Sequence, residues 1–215
     1  MKEKKLKAAL FDLDGTLMDT EGQYGRFYGE IGRQFHPEMP DFANRIKGVT
    51  LERICELYFP EPAVREEVVR RLIDFEAHMD FILYPGALDF VRDLKEHGVR
   101  TAVVTSSTRA KLDKIAATVP GFAELFDRVL TSEDFSASKP DPACFNLGAS
   151  IFGCSKDECV VFEDAFNGLA AGMASGIFTF GLATTNPRSA IADKCDCVFD
   201  SWLGFTYARC LELLR

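Results

Sequence analysis

The chain has 215 residues with a formal net charge of −8, and 47% of its residues are hydrophobic while 27% are charged. This is an ordinary globular balance, and its acidity argues against a nucleic-acid-binding surface, which needs clustered Lys and Arg. Because no apolar run approaches the roughly 18 residues of a membrane span, and the run after MKEKK is too short for a signal sequence, we expect a cytoplasmic protein without a membrane partner.

The seven cysteines do not form a pattern typical of a metal site. No CxxC pair occurs, and the closest pair, Cys195 and Cys197, has no second pair or histidine beside it. We therefore expect reduced thiols with structural roles.

The first predicted strand covers the apolar run Leu6–Leu10, and an unusually acidic segment, FDLDGTLMDT, follows it directly. Three aspartates, Asp12, Asp14 and Asp19, fall within eight positions of one another. Clustered carboxylates repel one another, so this segment indicates a compensating cation or a role in chemistry at a site. For Asp19, the expected role is to cap the helix that follows.

Residues 19–84 contain helical patterns and no convincing strand. The predicted helices are Glu21–Phe35, Thr50–Phe59 and Pro62–Met79. We interpret this block as a small α-helical domain, inserted into a core made of residues 1–18 and 85–215. Hinges are expected near Met18–Thr20 and Leu83–Gly86.

The rest of the chain alternates between strand and helix patterns, which is typical of parallel βαβ units. The predicted helices are Ala87–His97, Thr108–Thr118, Pro142–Phe152 and Asn167–Ser175. The predicted strands are Val99–Thr105, Arg128–Thr131, Cys159–Phe162, Ile177–Leu182 and Cys197–Phe199. The predicted fold class is therefore α/β, with a Rossmann-like parallel sheet and the helical insert after its first strand.

Carboxylates, hydroxyls and one lysine follow the strands of this predicted sheet. Ligands of open α/β sheets bind outside the carboxyl ends of the strands, so these groups should meet at one edge. Carboxylates suit Mg²⁺, which prefers oxygen ligands, whereas hydroxyls, helix N-termini and a lysine suit phosphate oxygens. A site that holds both kinds of group is typical of phosphoryl transfer.

Four segments in order resemble the motifs of the haloacid dehalogenase superfamily. They are Asp12-Leu13-Asp14-Gly15-Thr16, Thr105-Ser106, Lys139-Pro140 and Glu163-Asp164. The insert is similar to the α-helical cap of that family. The stretches YPGALDFVRDLK, SKPDPACF and VFEDAFNGLAAGMASG are similar to the subfamily of β-phosphoglucomutase and small sugar-phosphate phosphatases.

The resemblance implies a role for each matching residue. Asp12 would be the nucleophile that forms an aspartyl-phosphate, and Asp14 would be the general acid and base. Thr105, Ser106 and Lys139 would bind the transferring phosphoryl group. The implied Mg²⁺ ligands are Asp12, the backbone carbonyl of Asp14, Asp164 and Glu163, although Glu163 could equally support the site without binding the metal.

Candidate substrate contacts in the insert are Lys47, in a Lys-Gly-Val element shared with mutase-like members, together with Tyr24 and Arg53. Lys47 could instead belong to a plain surface turn. Tyr24 stands where the resembling β-phosphoglucomutases have a histidine, twelve positions after the nucleophile. This departure favours a phosphatase over a mutase, and Asp14 disfavours a dehalogenase because the metal-free dehalogenases of the family lack that residue.

The resemblance therefore predicts a Mg²⁺-dependent phosphatase that acts on a small phosphomonoester, with sugar phosphates as the expected class. A β-phosphoglucomutase-type mutase and a non-catalytic phospholigand binder are the alternatives. We expect a monomer whose partner is this small molecule, and no nucleic-acid partner.

Overall fold

The computed structural model of the chain describes residues 6–214, and a six-stranded parallel sheet lies at its centre. Its strands are β1 (Ala8–Phe11), β2 (Arg100–Val104), β3 (Arg128–Leu130), β4 (Cys159–Glu163), β5 (Phe178–Leu182) and β6 (Cys197–Phe199). Their order across the sheet is β3-β2-β1-β4-β5-β6, and every neighbouring pair is parallel. The predicted α/β class and parallel sheet are confirmed.

The first strand is displaced along the chain from its prediction. It covers Ala8–Phe11 rather than Leu6–Leu10, because Phe11 is paired with Val103 of β2 on one side and Phe162 of β4 on the other. The other five predicted strands agree with the structure to within one residue at each end.

Eleven α-helices occur among the described residues, and the seven predicted ones are among them. The helices are α1 (Glu21–Phe35), α2 (Phe42–Arg45), α3 (Leu51–Tyr58), α4 (Pro62–Ala77), α5 (Ala87–Glu96), α6 (Arg109–Thr118), α7 (Phe122–Leu125), α8 (Ala143–Ile151), α9 (Phe166–Ser175), α10 (Arg188–Ile191) and α11 (Tyr207–Leu213). Sequence analysis did not predict α2, α7, α10 or α11. Three of these have only four residues, too few to show a helical period.

The sheet is buried on both faces, which explains why its strands do not alternate between apolar and polar residues. In β1, Ala9 and Phe11 join one hydrophobic cluster, while Ala8 and Leu10 join the cluster on the opposite face. The ring of Phe162 stacks against that of Phe11, with ring centroids 4.8 Å apart. The strand that carries the acidic segment is thus held rigidly in the middle of the core.

Helices α1 to α4 pack around a hydrophobic cluster of their own, apart from the two clusters of the sheet. We call the segment that carries them, Glu21–Ala77, the helical insert. The chain enters and leaves it through two segments that run antiparallel, since Met18 forms an isolated bridge with Leu83 and Asp19 N donates to Ile82 O at 2.8 Å. These paired segments place the insert above the carboxyl end of β1.

Two glycines permit close approaches near this end of the sheet. Gly15 has a φ of +83°, and any side chain there would meet Asp164. A side chain at Gly168 in α9 would overlap the carboxylate of Glu163. The small residue at this position of α9 thus leaves space for an acidic group beneath the helix.

The seven cysteines are free thiols, as expected. Within residues 6–214 no helix has both the length and the apolarity required to cross a bilayer.

The stacked aromatic core should dominate the stability of the sheet. Replacing Phe162 by Ala removes a fully buried ring, so Phe162→Ala should lower the free energy of unfolding by about 3–5 kcal/mol. Phe166→Ala is the matched control, because Phe166 is 40% exposed, and it should cost less than about 1 kcal/mol. Urea denaturation would measure both values, and equal losses in the two variants would contradict the assignment.

Candidate active site

A buried lysine joins two carboxylates at the carboxyl end of β1. Lys139 Nζ lies 2.6 Å from Asp12 Oδ1 and 2.7 Å from Glu163 Oε1, and its side chain has no exposed surface. Asp12 directly follows β1, Glu163 ends the neighbouring β4, and Lys139 comes from the loop before α8. Adjacent parallel strands therefore bring the acidic residues together, as the sequence predicts.

The next carboxylate, that of Asp164, has an oxygen without a partner. Thr16 Oγ1 donates to Asp164 Oδ1 at 2.7 Å, while Asp164 Oδ2 is buried and has no hydrogen-bond partner among the described residues. Carboxylate oxygens of Asp12, Glu163 and Asp164 lie within 4.8 Å of one another. With one ammonium group among three carboxylates, the group carries a formal charge of −2 when all are ionised. A divalent cation fits this charge and this unpartnered oxygen.

The two oxygens of Glu163 are already bonded within the protein. Oε1 accepts from Lys139, and Oε2 accepts from the backbone N–H groups of Asp164 and Ala165 at 2.8 and 2.9 Å. These contacts favour a supporting role for Glu163, in which it holds the lysine and the loop that carries Asp164.

Burial and the shared charge alter the pKa values of this group. Burial raises the pKa of Asp12 above its ordinary value, the charge of Glu163 adds to the effect, and Lys139 opposes it. Burial and then Glu163 also raise the pKa of Asp164. Burial alone would lower the pKa of Lys139, but Asp12 and Glu163 outweigh it, so the ammonium group stays charged. Additional positive charge beside the group would lower these pKa values and favour the ionised carboxylates.

Asp14 points to a different set of partners from Asp12. Lys111 Nζ lies 2.5 and 2.6 Å from its two oxygens, and Thr20 and Ser107 donate hydroxyl hydrogen bonds to them at 2.5 and 2.7 Å. Burial alone would raise the pKa of Asp14, but Lys111 and the two hydroxyls lower it below its ordinary value. Asp14 is therefore ionised in this arrangement.

The prediction that Asp19 caps α1 is wrong. The residue that precedes α1 is Thr20, and it makes no side-chain cap because its hydroxyl is donated to Asp14. The side chain of Asp19 is exposed instead.

The loop after β2 supplies hydroxyl groups beside Asp12 and Asp14. Thr105 is buried, and its Oγ1 accepts a hydrogen bond from Ser107 N at 3.0 Å, which tightens the loop before α6. Ser106 Oγ donates to the carbonyl of Gly48 in the helical insert at 2.7 Å. Thr105 and Ser106 thus reach the predicted edge of the sheet, and Ser106 also contacts the insert.

A cavity of about 90 Å³ lies between the helical insert and this edge of the sheet. Its wall on the sheet side includes Asp12, Asp14 and the Thr105–Thr108 loop, and its wall on the insert side includes Glu21, Tyr24, Lys47 and Glu76. The cavity thus brings two of the phosphate-binding candidates, Thr105 and Ser106, opposite two of the three candidate substrate contacts.

The third candidate, Arg53, lies outside that cavity in the described part of the chain. Its guanidinium pairs with Glu56 at 2.9 Å and is about half exposed, and the residue lines a separate outer groove. Lys47 and Tyr24 remain candidates, whereas the structure gives no support for Arg53.

Several residues of the site were missed from the sequence. The most important is Lys111. The helical pattern predicts the helix Thr108–Thr118 that contains it, but this pattern does not show that the first turn of the helix faces the Thr105–Thr108 loop. Ser107, Thr20, Glu21 and Glu76 were missed as well, because helix periodicity does not show which polar residue turns toward a distant strand. For Lys111, the available signal was its position three residues after Thr108, the cap of α6.

Comparison with known proteins places this site in a family. A model of the haloacid dehalogenase-like hydrolases matches residues 6–176. Validoxylamine A 7′-phosphate phosphatase of Streptomyces hygroscopicus subsp. limoneus is 28% identical over 204 residues, covering 87% of this chain and 90% of the relative. Hexitol phosphatase A of Escherichia coli is 31% identical over 179 residues, covering 80% and 81% respectively.

A solved structure shares the complete fold. The β-phosphoglucomutase of Clostridium difficile superposes with a TM-score of 0.77 at 16% sequence identity, covering 97% of each chain. At this identity the likeness shows the fold alone.

The buried Glu21 carboxylate should make stability depend on pH. Burial raises the pKa of Glu21 to about 7, so the folded chain binds this proton more tightly than the unfolded chain. The contribution of Glu21 to the free energy of unfolding is therefore most favourable at low pH, and it is lost as the pH rises from about 4.5 to 7. In metal-free buffer, the stability of Glu21→Gln relative to wild type should increase by about 1–3 kcal/mol between pH 5 and pH 8.

Urea denaturation at several pH values would measure this difference. Glu30→Gln, an exposed position on the same helix, is the control and should show no such trend. A constant difference between Glu21→Gln and wild type across this range would contradict the assignment.

Proposed function

The chain belongs to the haloacid dehalogenase-like hydrolase family, and on this basis we propose that it is a Mg²⁺-dependent phosphatase of a small phosphomonoester, with sugar phosphates as the preferred class. The observation that carries the proposal is the buried group of Lys139, Asp12, Glu163 and Asp164, with its formal charge of −2 and the unpartnered Oδ2 of Asp164. The names of two relatives, which refer to validoxylamine A 7′-phosphate and to hexitol, support the substrate class.

The metal would be held by the carboxylates of Asp12 and Asp164 and by the backbone carbonyl of Asp14. When bound, Mg²⁺ would supply positive charge that stabilises the transferring phosphoryl group. Glu163 would support the site through its bonds to Lys139 and to the backbone after β4.

In the first step, an oxygen of Asp12 attacks the phosphorus atom and the bond from phosphorus to the leaving oxygen breaks. Asp14 donates a proton to that oxygen, so the product leaves as an alcohol and an aspartyl-phosphate remains on Asp12. Lys139 holds the attacking carboxylate and stabilises the phosphoryl charge. Thr105 and Ser106, with the backbone N–H groups of their loop, would orient the phosphoryl oxygens.

In the second step, a water molecule attacks phosphorus, the Asp12–phosphorus bond breaks, and Asp14 accepts a proton from the water. Because Lys111 lowers the pKa of Asp14, this carboxylate is unprotonated and has a site for the proton. The acidic role in the first step requires that Asp14 acquire a proton, and its release from Lys111 would favour this.

We further propose that residues 1–18 and 85–215 form the catalytic core and that residues 19–84 form a cap that closes over it. The separate hydrophobic cluster of the insert supports this division, as do the two paired segments at Met18 and Leu83. A cap of this size, over a cavity of about 90 Å³, suits a small molecule better than a protein or nucleic acid. A monomer and a cytoplasmic location remain our expectations.

The principal test of the proposed function is an activity assay on a panel of phosphomonoesters. Phosphate release should be observed with sugar phosphates and with p-nitrophenyl phosphate in the presence of Mg²⁺, and EDTA should abolish it. β-Glucose 1-phosphate belongs in the panel with a coupled assay for glucose 6-phosphate. Conversion to glucose 6-phosphate without phosphate release would identify a mutase, which the Lys47-Gly48-Val49 element permits. Absence of turnover on every phosphomonoester would favour a non-catalytic binder.

Variants of the two aspartates should separate their roles. Asp12→Asn should abolish turnover because the nucleophile is lost, whereas Asp14→Asn should slow it by about 10²–10⁴-fold, the usual range for a lost acid–base group. Asp19→Asn is the matched control in the same segment, because Asp19 is exposed, and it should retain activity within about twofold of wild type. Substantial turnover by Asp12→Asn, or a loss below tenfold in Asp14→Asn, would remove that residue from its role.

A further inference from the structure

The insert side of the cavity carries two carboxylates, a phenol and one lysine. Glu21 and Tyr24 come from α1, Lys47 from the turn after α2, and Glu76 from the end of α4. None of these four groups is needed for the phosphoryl steps above. They face the region beyond the phosphate candidates, where the leaving group of a bound substrate would lie.

One oxygen of Glu21 has an ion-pair partner within the protein but accepts no hydrogen bond among the described residues. Its Oε2 is buried and has no hydrogen-bond partner among residues 6–214, although Lys47 Nζ lies 3.3 Å from it without hydrogen-bond geometry. A buried acceptor of this kind costs free energy until a donor reaches it. A hydroxyl group on a substrate that occupies the cavity beside Glu21 would be such a donor.

Glu76 is held ready for a similar contact. Tyr24 Oη donates to Glu76 Oε1 at 2.7 Å, and Lys114 Nζ of the core donates to the carbonyl of Glu76 at 2.8 Å. The end of α4 is thereby fixed to the core, and the Glu76 carboxylate remains at the cavity wall in one orientation. Such prior ordering reduces the entropy cost of binding.

The charge of this wall is unsuitable for a second anionic group. Lys47 is the one cation among the described residues that line the cavity, and it already lies beside Glu21. Lys111 and Lys139 are paired with Asp14 and Asp12. A second phosphate would therefore face two carboxylates with a single, already engaged lysine.

We propose that Glu21 and Glu76 select an uncharged, hydroxyl-bearing leaving group, such as a sugar or polyol, and reject substrates that carry a second phosphate or carboxylate. This inference rests on the proposed phosphatase function and narrows its substrate class. Ionised carboxylates accept hydrogen bonds from sugar hydroxyls and repel a second anion. For Glu21 this repulsion acts above its pKa of about 7. Lys47 beside Glu21 limits the attraction for a cationic leaving group.

The test compares kcat/KM for four probes in wild type and variants at pH 8, above the pKa of about 7 of Glu21. The probes are sorbitol 6-phosphate, fructose 1,6-bisphosphate, glucosamine 6-phosphate and p-nitrophenyl phosphate, which lacks hydroxyl groups. Wild type should prefer sorbitol 6-phosphate to the bisphosphate by at least tenfold. Glu21→Gln and Glu76→Gln should each lower the ratio of these two values by about tenfold or more, the effect of one charged hydrogen bond.

Glu30→Gln is the matched control, since Glu30 is exposed on α1, and it should leave the ratio unchanged. Equal or better turnover of the bisphosphate by wild type would overturn the inference. Ratios that do not change in the Glu21 and Glu76 variants would also overturn it. A tenfold preference of wild type for glucosamine 6-phosphate over sorbitol 6-phosphate would overturn it as well, because it would indicate a pocket for a cation.

Calorimetric binding of the same probes to Asp12→Asn gives a second measurement that does not require turnover. Tighter binding of sorbitol 6-phosphate than of the bisphosphate is expected, and the reverse order would overturn the inference. If no probe is hydrolysed by wild type but this binding order holds, the phosphatase proposal fails while the selectivity stands.

Discussion

The site depends on the ion contact between Lys139 and the carboxylates of Asp12 and Glu163. A buried ammonium group is costly unless it is paired, and here both pairs are shorter than 3 Å with no exposed surface on the lysine. This contact joins the loop before α8 to the ends of β1 and β4. It therefore fixes the nucleophile candidate in position, while leaving too little positive charge for the third carboxylate, that of Asp164.

That deficit explains the arrangement of the neighbouring residues. Glu163 uses both oxygens for structure, and Thr16 satisfies one oxygen of Asp164, so the oxygen that remains free is Asp164 Oδ2. Asp14 lies outside this group and has its own cation, Lys111. The protein thus keeps the two adjacent aspartates in different electrostatic surroundings, raising the pKa of Asp12 and lowering that of Asp14. Asp14 is therefore ionised as it stands, whereas the ionisation of Asp12 depends on the positive charge beside it.

The sequence was sufficient to predict the sheet, the seven longer predicted helices and the meeting of the four acidic and basic segments. Apolar runs that lack alternation indicate buried parallel strands, and the edge where their carboxyl ends meet follows from topology alone. The shift of β1 and the role of Lys111 could not be predicted in this way. The position of β1 depends on its pairing with β2 and β4. The role of Lys111 depends on the direction in which the first turn of its helix faces.

The turn of the insert around Lys47 and Gly48 contacts the core through its backbone. Asn167 Nδ2 donates to the carbonyl of Lys47 at 2.8 Å, and Ser106 Oγ donates to that of Gly48 at 2.7 Å. On the other side of this turn, Thr50 N donates to Ser138 Oγ at 2.9 Å. Each of these contacts involves the backbone of the insert, so none depends on which side chain the turn presents to the cavity. The core can therefore hold the insert in the same way whichever side chains this turn presents to the cavity.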